Sequence, residues 1–307
     1  MKFYTSVLPY RGRLLVRGVD KDGTQKKYRI NYKPSLFVPV KKETKYKTLD
    51  GRYVEKIKFD SMPEATKWVN EYKNVTNFEY FGNTRHQYPF IAEEFEGKID
   101  WDMNQIKLLS IDIECESENG FPSPEKADQP LICITVKDHT SKKIIVFGMG
   151  NFVNDREDVQ YIDCVTETGL VETFTKFWVE YNPNIITGWN VKFFDIPYLM
   201  NRFRYLMGDD WLNQFSPWGV VEQRSAAVLF ASREQQVWNI MGVDTLDYLD
   251  LYRKFTFVRR ESYKLDYIGE VELGQNKLEN PYDTFKEFYQ NDYQRFVEYN
   301  IQDVELV

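Results

Sequence analysis

The sequence predicts an α/β protein in which a mixed sheet flanked by helices is preceded by a smaller, β-rich α+β domain. Three observations lead to this prediction. The chain has 307 residues, and a single hydrophobic core usually stops growing at about 250–300 residues. Its first forty residues contain several short strand-like segments. Farther along, apolar strand-like segments are followed by helical segments with one apolar side. The length allows two domains or one large one, and the polar segment DWDMNQ before the apolar IKLLSIDIE indicates a boundary near residue 105. We therefore expect two domains, residues 1–105 and 106–307.

The elements of the first domain follow from residue type and spacing. Four segments rich in β-forming residues predict strands, and the sequence DKDG at Asp20–Gly23 predicts a hairpin turn. A helix is expected to begin at Pro63 with Ser61 as its cap, because the following apolar residues recur at helical spacing. The predicted strands are FYTSVL at 3–8, RLLVRGV at 13–19, KKYRINY at 26–32 and LFVPV at 36–40.

The second domain is predicted to begin with a strand at Lys107–Glu114. Apolar residues along one side predict a helix at Thr168–Tyr181, and another helix opens at Asp195, with Pro197 in the first turn where proline is tolerated. From Thr284 onwards, aromatic and apolar residues recur at helical intervals. Further predicted elements are strands at LICITVKD (131–138), KIIVFG (143–148), YIDCV (161–165) and NIITG (184–188), and a β-hairpin at 218–243.

Four acids occur in three short groups along this second domain. Asp112 and Glu114 are two apart in a predicted strand and therefore project from the same face. Like charges held side by side repel and raise each other's pKa, so a divalent cation between them is the simplest explanation. Asp195 opens a helix, and Asp303 follows Tyr299 by four residues, which places both on one helical face. Convergence of these acids would form a metal site.

The alternative for each group is an ordinary one. A single Asp-x-Glu pair is usually two solvated acids on an edge strand, and a single Tyr-x-x-x-Asp is a weaker indicator still. The metal interpretation is favoured because each acid adjoins an apolar segment and not a run of charges. Two divalent ions about 3.5–4 Å apart, held by carboxylates, can act on the attacking and leaving oxygens of a phosphodiester. The sequence thus predicts two ions, Mg²⁺ or Mn²⁺.

The segments that contain these residues, DIE at 112–114, NVKFFD at 190–195 and YNIQD at 299–303, resemble the three exonuclease motifs of family B DNA polymerases. The likeness covers essentially the whole chain and extends to the amino-terminal half of T-even-type phage replicative polymerases. The other segments that carry it are YKPSLF at 32–37, NGFPSP at 119–124, ITGWN at 186–190, LDYLDLYRKFTF at 246–257 and SYKLDYIGEVEL at 262–273.

This resemblance implies a 3′→5′ exonuclease of the DEDD class, tyrosine subclass, with an RNase H-like fold and two divalent metal ions. It implies that Tyr299 orients the attacking water, and that Lys277 assists near the scissile phosphate. A solvated loop lysine is the alternative for Lys277. The implied metal ligands are Asp112, Glu114, Asp195 and Asp303.

The resemblance also implies contacts to single-stranded DNA. It places Phe121 against bases near the primer 3′ end, and aromatic rings are common stacking platforms for single strands. An ordinary Phe-Pro core anchor is the alternative. Asn190 and Phe194 of the second motif are further expected DNA contacts. The 218–243 segment resembles in position the hairpin that helps to part primer from template, with a plain surface hairpin as the alternative.

Charge is distributed unevenly along the chain, whose net charge is −7. Residues 1–60 hold 16 lysines and arginines against 6 acids, whereas residues 61–307 hold 24 against 41. A basic amino-terminal region can attract a phosphate backbone, although such runs are more often solvated faces. Together with the resemblance, this predicts RNA as a partner of residues 1–105.

None of these 307 residues resembles the nucleotide, helix or metal motifs of the family's polymerase domain. We expect no polymerase activity from this chain alone, and a polymerase portion in the same polypeptide or in a second chain. A non-catalytic nucleic-acid-binding or assembly module of a divided polymerase is the alternative function. An oligoribonuclease of the same fold is disfavoured by the long amino-terminal domain.

The remaining composition is that of a globular protein, with 42% hydrophobic residues. No apolar run of about 18 residues predicts a membrane span, and the amino terminus lacks the features of a signal peptide. We therefore expect no membrane partner and a cytoplasmic location, in the host cytoplasm if the chain is phage-encoded. The cysteines, Cys115, Cys133 and Cys164, lack metal-site spacing and are expected to be reduced core thiols.

Overall fold

The computed structural model describes residues 1–117, 120–228 and 234–307. The chain forms two compact units, Met1–Met103 and Asn104–Val307. Each unit has hydrophobic clusters of its own. Among the described residues, no helix is both long enough and apolar enough to cross a bilayer.

The first unit contains two three-stranded antiparallel sheets and two helices. Its elements are β1 (Phe3–Tyr10), β2 (Arg13–Val19), β3 (Gln25–Ile30), β4 (Ser35–Pro39), β5 (Tyr46–Lys47), β6 (Tyr53–Lys58), α1 (Met62–Tyr72) and α2 (Gln87–Glu94). One sheet has the order β1-β2-β3 and the other β4-β6-β5. Helix α1 begins one residue before the predicted Pro63, and the Ser61 side chain accepts a hydrogen bond from the Glu64 amide as its cap.

The second unit contains a six-stranded mixed sheet with helices on both faces. Besides the six strands of this sheet, the unit contains the separate pair β12 and β13. The strands of the second unit are β7 (Leu108–Cys115), β8 (Leu131–Asp138), β9 (Ile144–Gly148), β10 (Val159–Asp163), β11 (Ile185–Gly188), β12 (Val221–Ala227), β13 (Glu234–Ile240) and β14 (Asp244–Asp247). Its helices are α3 (Glu167–Tyr181), α4 (Asp195–Met207), α5 (Asp209–Leu212), α6 (Tyr248–Phe255), α7 (Leu265–Leu273), α8 (Phe285–Asn291) and α9 (Tyr293–Glu305). The predicted mixed sheet flanked by helices is therefore confirmed.

The strand order of this sheet is β10-β9-β8-β7-β11-β14. Strand β7 lies inside the sheet, antiparallel to β8 and parallel to β11, and β14 is parallel to β11. Leu109, Ile111 and Ile113 of β7 belong to the hydrophobic cluster that includes residues of α3 and α4. The alternate residues of β7 therefore project from the opposite face, where α9 packs against β7 and β8.

The last predicted helical stretch is divided in the structure, whereas the predicted hairpin forms. The helical stretch after Thr284 is interrupted at Asp292, whose non-helical backbone ends α8 and whose side chain accepts a hydrogen bond from the Arg295 amide at the start of α9. The predicted hairpin at 218–243 forms as the antiparallel pair β12 and β13, in continuous register from Val221 opposite Ile240 to Ala227 opposite Glu234. Its tip, residues 229–233, lies outside the described residues.

Candidate active site

A cavity of about 790 Å³ in the second unit brings together every residue that the sequence singled out for chemistry or DNA contact. The acids come from different elements: two from β7 at the centre of the sheet, one from the start of α4 and one from α9. The nine predicted residues that line the cavity are Asp112, Glu114, Phe121, Asn190, Phe194, Asp195, Lys277, Tyr299 and Asp303.

Three of the four acids form a compact group. Carboxylate oxygens of Asp112, Glu114 and Asp303 all lie within 4.8 Å of one another. Asp303 is only 2% exposed, and its Oδ1 has no hydrogen-bond partner among the residues that the structure describes. An unsatisfied carboxylate oxygen inside a protein is costly. Three carboxylates with one unsatisfied buried oxygen fit a divalent cation, because such cations prefer oxygen ligands.

The electrostatics of the group also favour a cation. Asp112 and Glu114 face the cavity but are otherwise surrounded by protein, and burial together with the charge of Asp303 raises the pKa of Glu114 to about 8. The pKa of Asp112 is well above its usual range, mainly because of burial and secondly because of the charges of the neighbouring acids. Burial likewise raises the pKa of Asp303. A bound cation would relieve this repulsion and hold all three acids in their ionised form.

Asp195 lies apart from the compact group. It is 4% exposed, and its Oδ1 accepts a hydrogen bond of 3.2 Å from the Ile113 amide, so the first turn of α4 is tied to β7 between Asp112 and Glu114. Burial raises the pKa of Asp195 to about 7. The structure therefore brings Asp195 to the same cavity, but only Asp112, Glu114 and Asp303 form the tight cluster.

Lys277 supplies a positive charge at this site. Its Nζ donates to Asp303 Oδ2 and lies 3.3 Å from the Tyr299 hydroxyl. Burial disfavours the charge on the lysine, but electrostatic attraction by Asp303, Tyr299 and Asp112 and the hydrogen bond to Asp303 together outweigh it and raise the Lys277 pKa. The side chain is 27% exposed, so the alternative of a freely solvated loop lysine is wrong. Burial raises the pKa of Tyr299, which keeps the phenol neutral.

The predicted DNA contacts lie at the mouth of the same cavity. Phe121 is 86% exposed, so the alternative of a core anchor is wrong. Its ring centroid is 5.2 Å from that of Phe194, at an interplanar angle of 45°. Asn190 has a left-handed backbone, with φ of 65°. Asn119, from the same segment as Phe121, lies outside the described residues.

Two residues that sequence reasoning missed hold this site in place. Asp247 is 4% exposed, and its carboxylate accepts hydrogen bonds from the Asn190 and Lys192 amides at 3.2 and 2.9 Å. Asn300 is fully buried and donates a 2.6 Å hydrogen bond to Asp112. Asp247 could have been found as an acid at a strand-to-helix junction, where capping residues are common. Asn300 could have been found because it lies three residues before Asp303, a spacing that places both on one helical face.

Comparison with known proteins agrees with this geometry. Residues 64–268 match the family described as "DNA polymerase family B, exonuclease domain". This range contains Asp112, Glu114 and Asp195 and ends before Lys277.

Individual relatives extend the similarity over the whole chain. The chain is 30% identical to the DNA-directed DNA polymerase of Escherichia phage RB69 over 99% of its own length and 36% of that protein. It is 29% identical to the DNA-directed DNA polymerase of Enterobacteria phage T4, over 100% of the chain and 36% of that protein. A DNA polymerase delta catalytic subunit of Candida albicans is 31% identical over 57% of the chain and 17% of that protein. The chain thus spans about a third of the length of the phage polymerases that it matches. Because residues 64–268 match the family, the chain belongs to the family B DNA polymerase exonuclease domains.

Proposed function

We propose that this chain is a 3′→5′ exonuclease that hydrolyses single-stranded DNA at a primer 3′ end with two divalent ions, Mg²⁺ or Mn²⁺. The observation that carries this proposal is the cluster of Asp112, Glu114 and Asp303, whose oxygens lie within 4.8 Å of one another. A protein that only binds nucleic acid has no need for converging carboxylates inside a cavity. The proposed fold is RNase H-like, and the central position of β7 in the sheet supports it.

The three clustered acids are the proposed ligands, with Asp195 as the fourth. Bound divalent ions would stabilise negative charge on the phosphate and lower the pKa of a water molecule. The protein holds the proposed ligands in place: β7 presents two acids on one face, and α9 brings Asp303 and Tyr299 to the same cavity. This set corresponds to the tyrosine subclass of DEDD exonucleases.

Tyr299 and Lys277 are proposed to act on water and phosphate. Burial keeps the Tyr299 phenol neutral, so its hydroxyl can both donate to and accept from a water molecule. Lys277 keeps its charge 3.3 Å from that hydroxyl, where it can attract a phosphate oxygen. The two side chains therefore have separate tasks, orientation of water and attraction of the substrate.

Substitution of Tyr299 by phenylalanine should slow hydrolysis without removing it. The variant loses only the hydroxyl, while its ring still packs against Phe285 and Phe288. Because the hydroxyl supports the reaction from outside the metal ligands, we expect a rate about 10- to 100-fold below wild type. Single-turnover digestion of end-labelled DNA measures this effect. A loss as complete as that of the acid variants would contradict the assigned task.

Phe121 and Phe194 are proposed to stack on bases at the 3′ end. The exposed ring of Phe121 and the partly buried ring of Phe194 beside it would hold a base while its phosphate reaches the acids. Phe121→Ala should weaken single-stranded DNA binding by about 1–3 kcal/mol, measured by fluorescence anisotropy in Ca²⁺ or EDTA. Phe257, which is 98% exposed and does not line this cavity, provides the control variant Phe257→Ala. Equal affinities for the two variants would refute the stacking assignment.

The first unit has a feature that favours nucleic-acid binding, and we propose RNA as its ligand. Just before β5, the ammonium of Lys45 lies 4.8 Å from the ring centre of Tyr46. Within the β4-β6-β5 sheet, the ammonium of Lys47 lies 4.6 Å from the ring centre of Tyr53. A mostly apolar cavity of about 470 Å³ adjoins them. Lysines beside aromatic rings are typical of surfaces that hold single strands, because they combine phosphate contact with stacking.

Replacement of both Lys45 and Lys47 by alanine should reduce the salt dependence of RNA binding. Each phosphate contact to a single strand contributes a slope of about 0.7 in log affinity against log salt, so the slope should fall by about 1.4. Titration of RNA at several salt concentrations measures it. The control is the double variant Lys67→Ala, Lys73→Ala, on α1 and at its carboxyl-terminal cap. Equal slopes for both double variants would contradict the proposed site.

Digestion of labelled nucleic acid tests the proposed function as a whole. With Mg²⁺, a single DNA strand labelled at its 5′ end should shorten stepwise, whereas a 3′ label should appear at once in a mononucleotide. EDTA should stop both. Binding without digestion would support the non-catalytic module, and faster digestion of RNA would support an oligoribonuclease. The polymerase portion implied by the length of the phage relatives, in cis or as a second chain, can be added to the same assay.

A further inference from the structure

Asn300 is a polar residue fully enclosed by protein next to the acids. It lies on α9 between Tyr299 and Asp303, with no measurable exposure. Its Nδ2 donates to Asp112 Oδ2 at 2.6 Å, and its Oδ1 accepts from the Thr135 hydroxyl. Both ends of the amide are therefore engaged.

The chemistry of these partners determines which way the amide points. When a cation is bound, the Asp112 carboxylate is ionised and only accepts hydrogen bonds, so the amide must present its NH₂ group to Asp112. The amide oxygen then faces Thr135, whose hydroxyl must donate. Thr135 is fully buried and lies directly opposite Asp112 in the β7–β8 pairing. The hydrogen bonds run from β8 through α9 to β7 and connect the three elements that surround the clustered acids.

A neutral amide can hold the Asp112 carboxylate next to a metal site better than a cationic side chain can. Lys277 forms an ion pair with Asp303, so its positive charge would compete with a divalent ion for that carboxylate. Asn300 instead holds one oxygen of Asp112, leaves the other oxygen to a ligand, and adds no charge. Carboxylates that bind metals are commonly held by hydrogen bonds of this kind, and loss of such a partner lowers metal affinity or activity about 10- to 100-fold.

We infer that Asn300 is a positioning residue, which orients the Asp112 carboxylate for divalent cation binding, and that Thr135 holds Asn300 in the required orientation. This inference rests on the proposed function, since it takes Asp112 to be a metal ligand. The competing interpretation is purely structural: the two polar side chains satisfy each other inside the protein and contribute only to stability.

Direct Mn²⁺ binding to the full chain separates the two interpretations. Free Mn²⁺ is measured by electron paramagnetic resonance during titration, without DNA. Thr135→Val removes the hydroxyl but keeps the shape, and should raise the Kd for Mn²⁺ about tenfold. Thr135→Ser restores the hydroxyl and should restore the affinity. Asn300→Leu should have the larger effect, up to about 100-fold.

A threonine elsewhere in the second unit provides the matched control. Thr175 is 2% exposed and also makes side-chain hydrogen bonds, with the Val171 carbonyl and the Trp211 indole. Thr175→Val should lower the melting temperature but leave Mn²⁺ affinity unchanged. If Asn300→Leu does not fold, the valine and serine variants at position 135 decide the question.

The results distinguish failure of this inference from failure of the proposed function. Variants at 135 and 300 with wild-type Mn²⁺ affinity and lowered melting temperatures would overturn the positioning role, while wild-type digestion of DNA would leave the exonuclease assignment standing. A wild-type chain that neither binds Mn²⁺ nor digests DNA would overturn both.

Discussion

Replacement of Asp112 and Glu114 by alanine should abolish release of nucleotides from a DNA 3′ end. These acids contribute two of the three clustered carboxylates, and Asp303 alone cannot hold a divalent cation firmly. Loss of metal-ion catalysis removes several kcal/mol of transition-state stabilisation, which corresponds to a rate at least about 10³-fold lower. Single-turnover digestion with saturating Mg²⁺ measures the loss.

The same double variant should fold at least as well as wild type when metal is absent. In the metal-free protein, burial first and repulsion by the neighbouring acids second disfavour the ionised forms of Asp112 and Glu114 and raise their pKa values, so removal of the two acids relieves unfavourable energy. The melting temperature in EDTA should therefore stay equal or rise, whereas the stabilisation by Mg²⁺ should disappear. An unchanged digestion rate would refute the assignment of these acids.

A second Asp-x-Glu sequence in the chain provides the matched control. Asp155 and Glu157 have the same spacing, are exposed, and lie outside the cavity. Alanine at both positions should alter neither the digestion rate nor the effect of Mg²⁺ on the melting temperature. The comparison separates a general effect of lost negative charge from the specific loss of the site.

Substitution of Lys277 by methionine should have the second-largest effect, and its size should depend on metal. Lys277 neutralises Asp303, which is 2% exposed, while its own side chain is 27% exposed. Removing one partner of a buried pair usually costs 3–5 kcal/mol, and the partial exposure of the lysine favours the lower end, so we expect about 3 kcal/mol in EDTA. A divalent cation would replace the missing charge, so Mg²⁺ should stabilise the variant more than wild type.

Urea unfolding of Lys277→Met in EDTA and in Mg²⁺ measures this difference. Lys254 is a suitable control, because its ammonium lies over the ring of Phe255, in a different part of the second unit, and Lys254→Met should be nearly neutral under both conditions. If Lys277→Met loses the same stability with and without Mg²⁺, the lysine is a structural ion-pair partner that does not share its site with a metal.

The position of the paired acids could be predicted from sequence because it depends on a local rule. Side chains two apart on a strand share a face, so Asp112 and Glu114 were expected together, and the structure places both on the face covered by α9. Tyr299 and Asp303 follow the equivalent rule for helices. These rules require only that the local element forms.

Other features of the site depend on contacts between distant parts of the chain. Asp195 accepts a hydrogen bond from the Ile113 amide of β7, and residue spacing in the sequence does not predict this bond. Asn300 meets Asp112 and Thr135 across 188 and 165 residues of sequence. Asp247 reaches the loop at Asn190 across 57 residues. Sequence patterns identify each residue's own face and not the partner that faces it.

Elements with mixed composition were also difficult to predict. Residues 41–58 were interpreted only as part of the basic amino-terminal region, although they contain β5 and β6. Charged residues lie on both faces of β6 and obscure the apolar alternation on which strand prediction depends. The break between α8 and α9 at Asp292 was missed because the apolar spacing continues across it and only the capping hydrogen bond marks the boundary.

Anomalous diffraction from crystals of this chain soaked in Mn²⁺ with a short single DNA strand tests the central claim most directly. The account predicts manganese bound by carboxylate oxygens of Asp112, Glu114 and Asp303, with the DNA 3′ end in the cavity beside Phe121. It also predicts that the buried Oδ1 of Asp303, which has no partner among the described residues, becomes a ligand or a hydrogen-bond acceptor at the metal. Manganese absent from these acids at saturating concentration, with Lys277 still paired to Asp303, would contradict it.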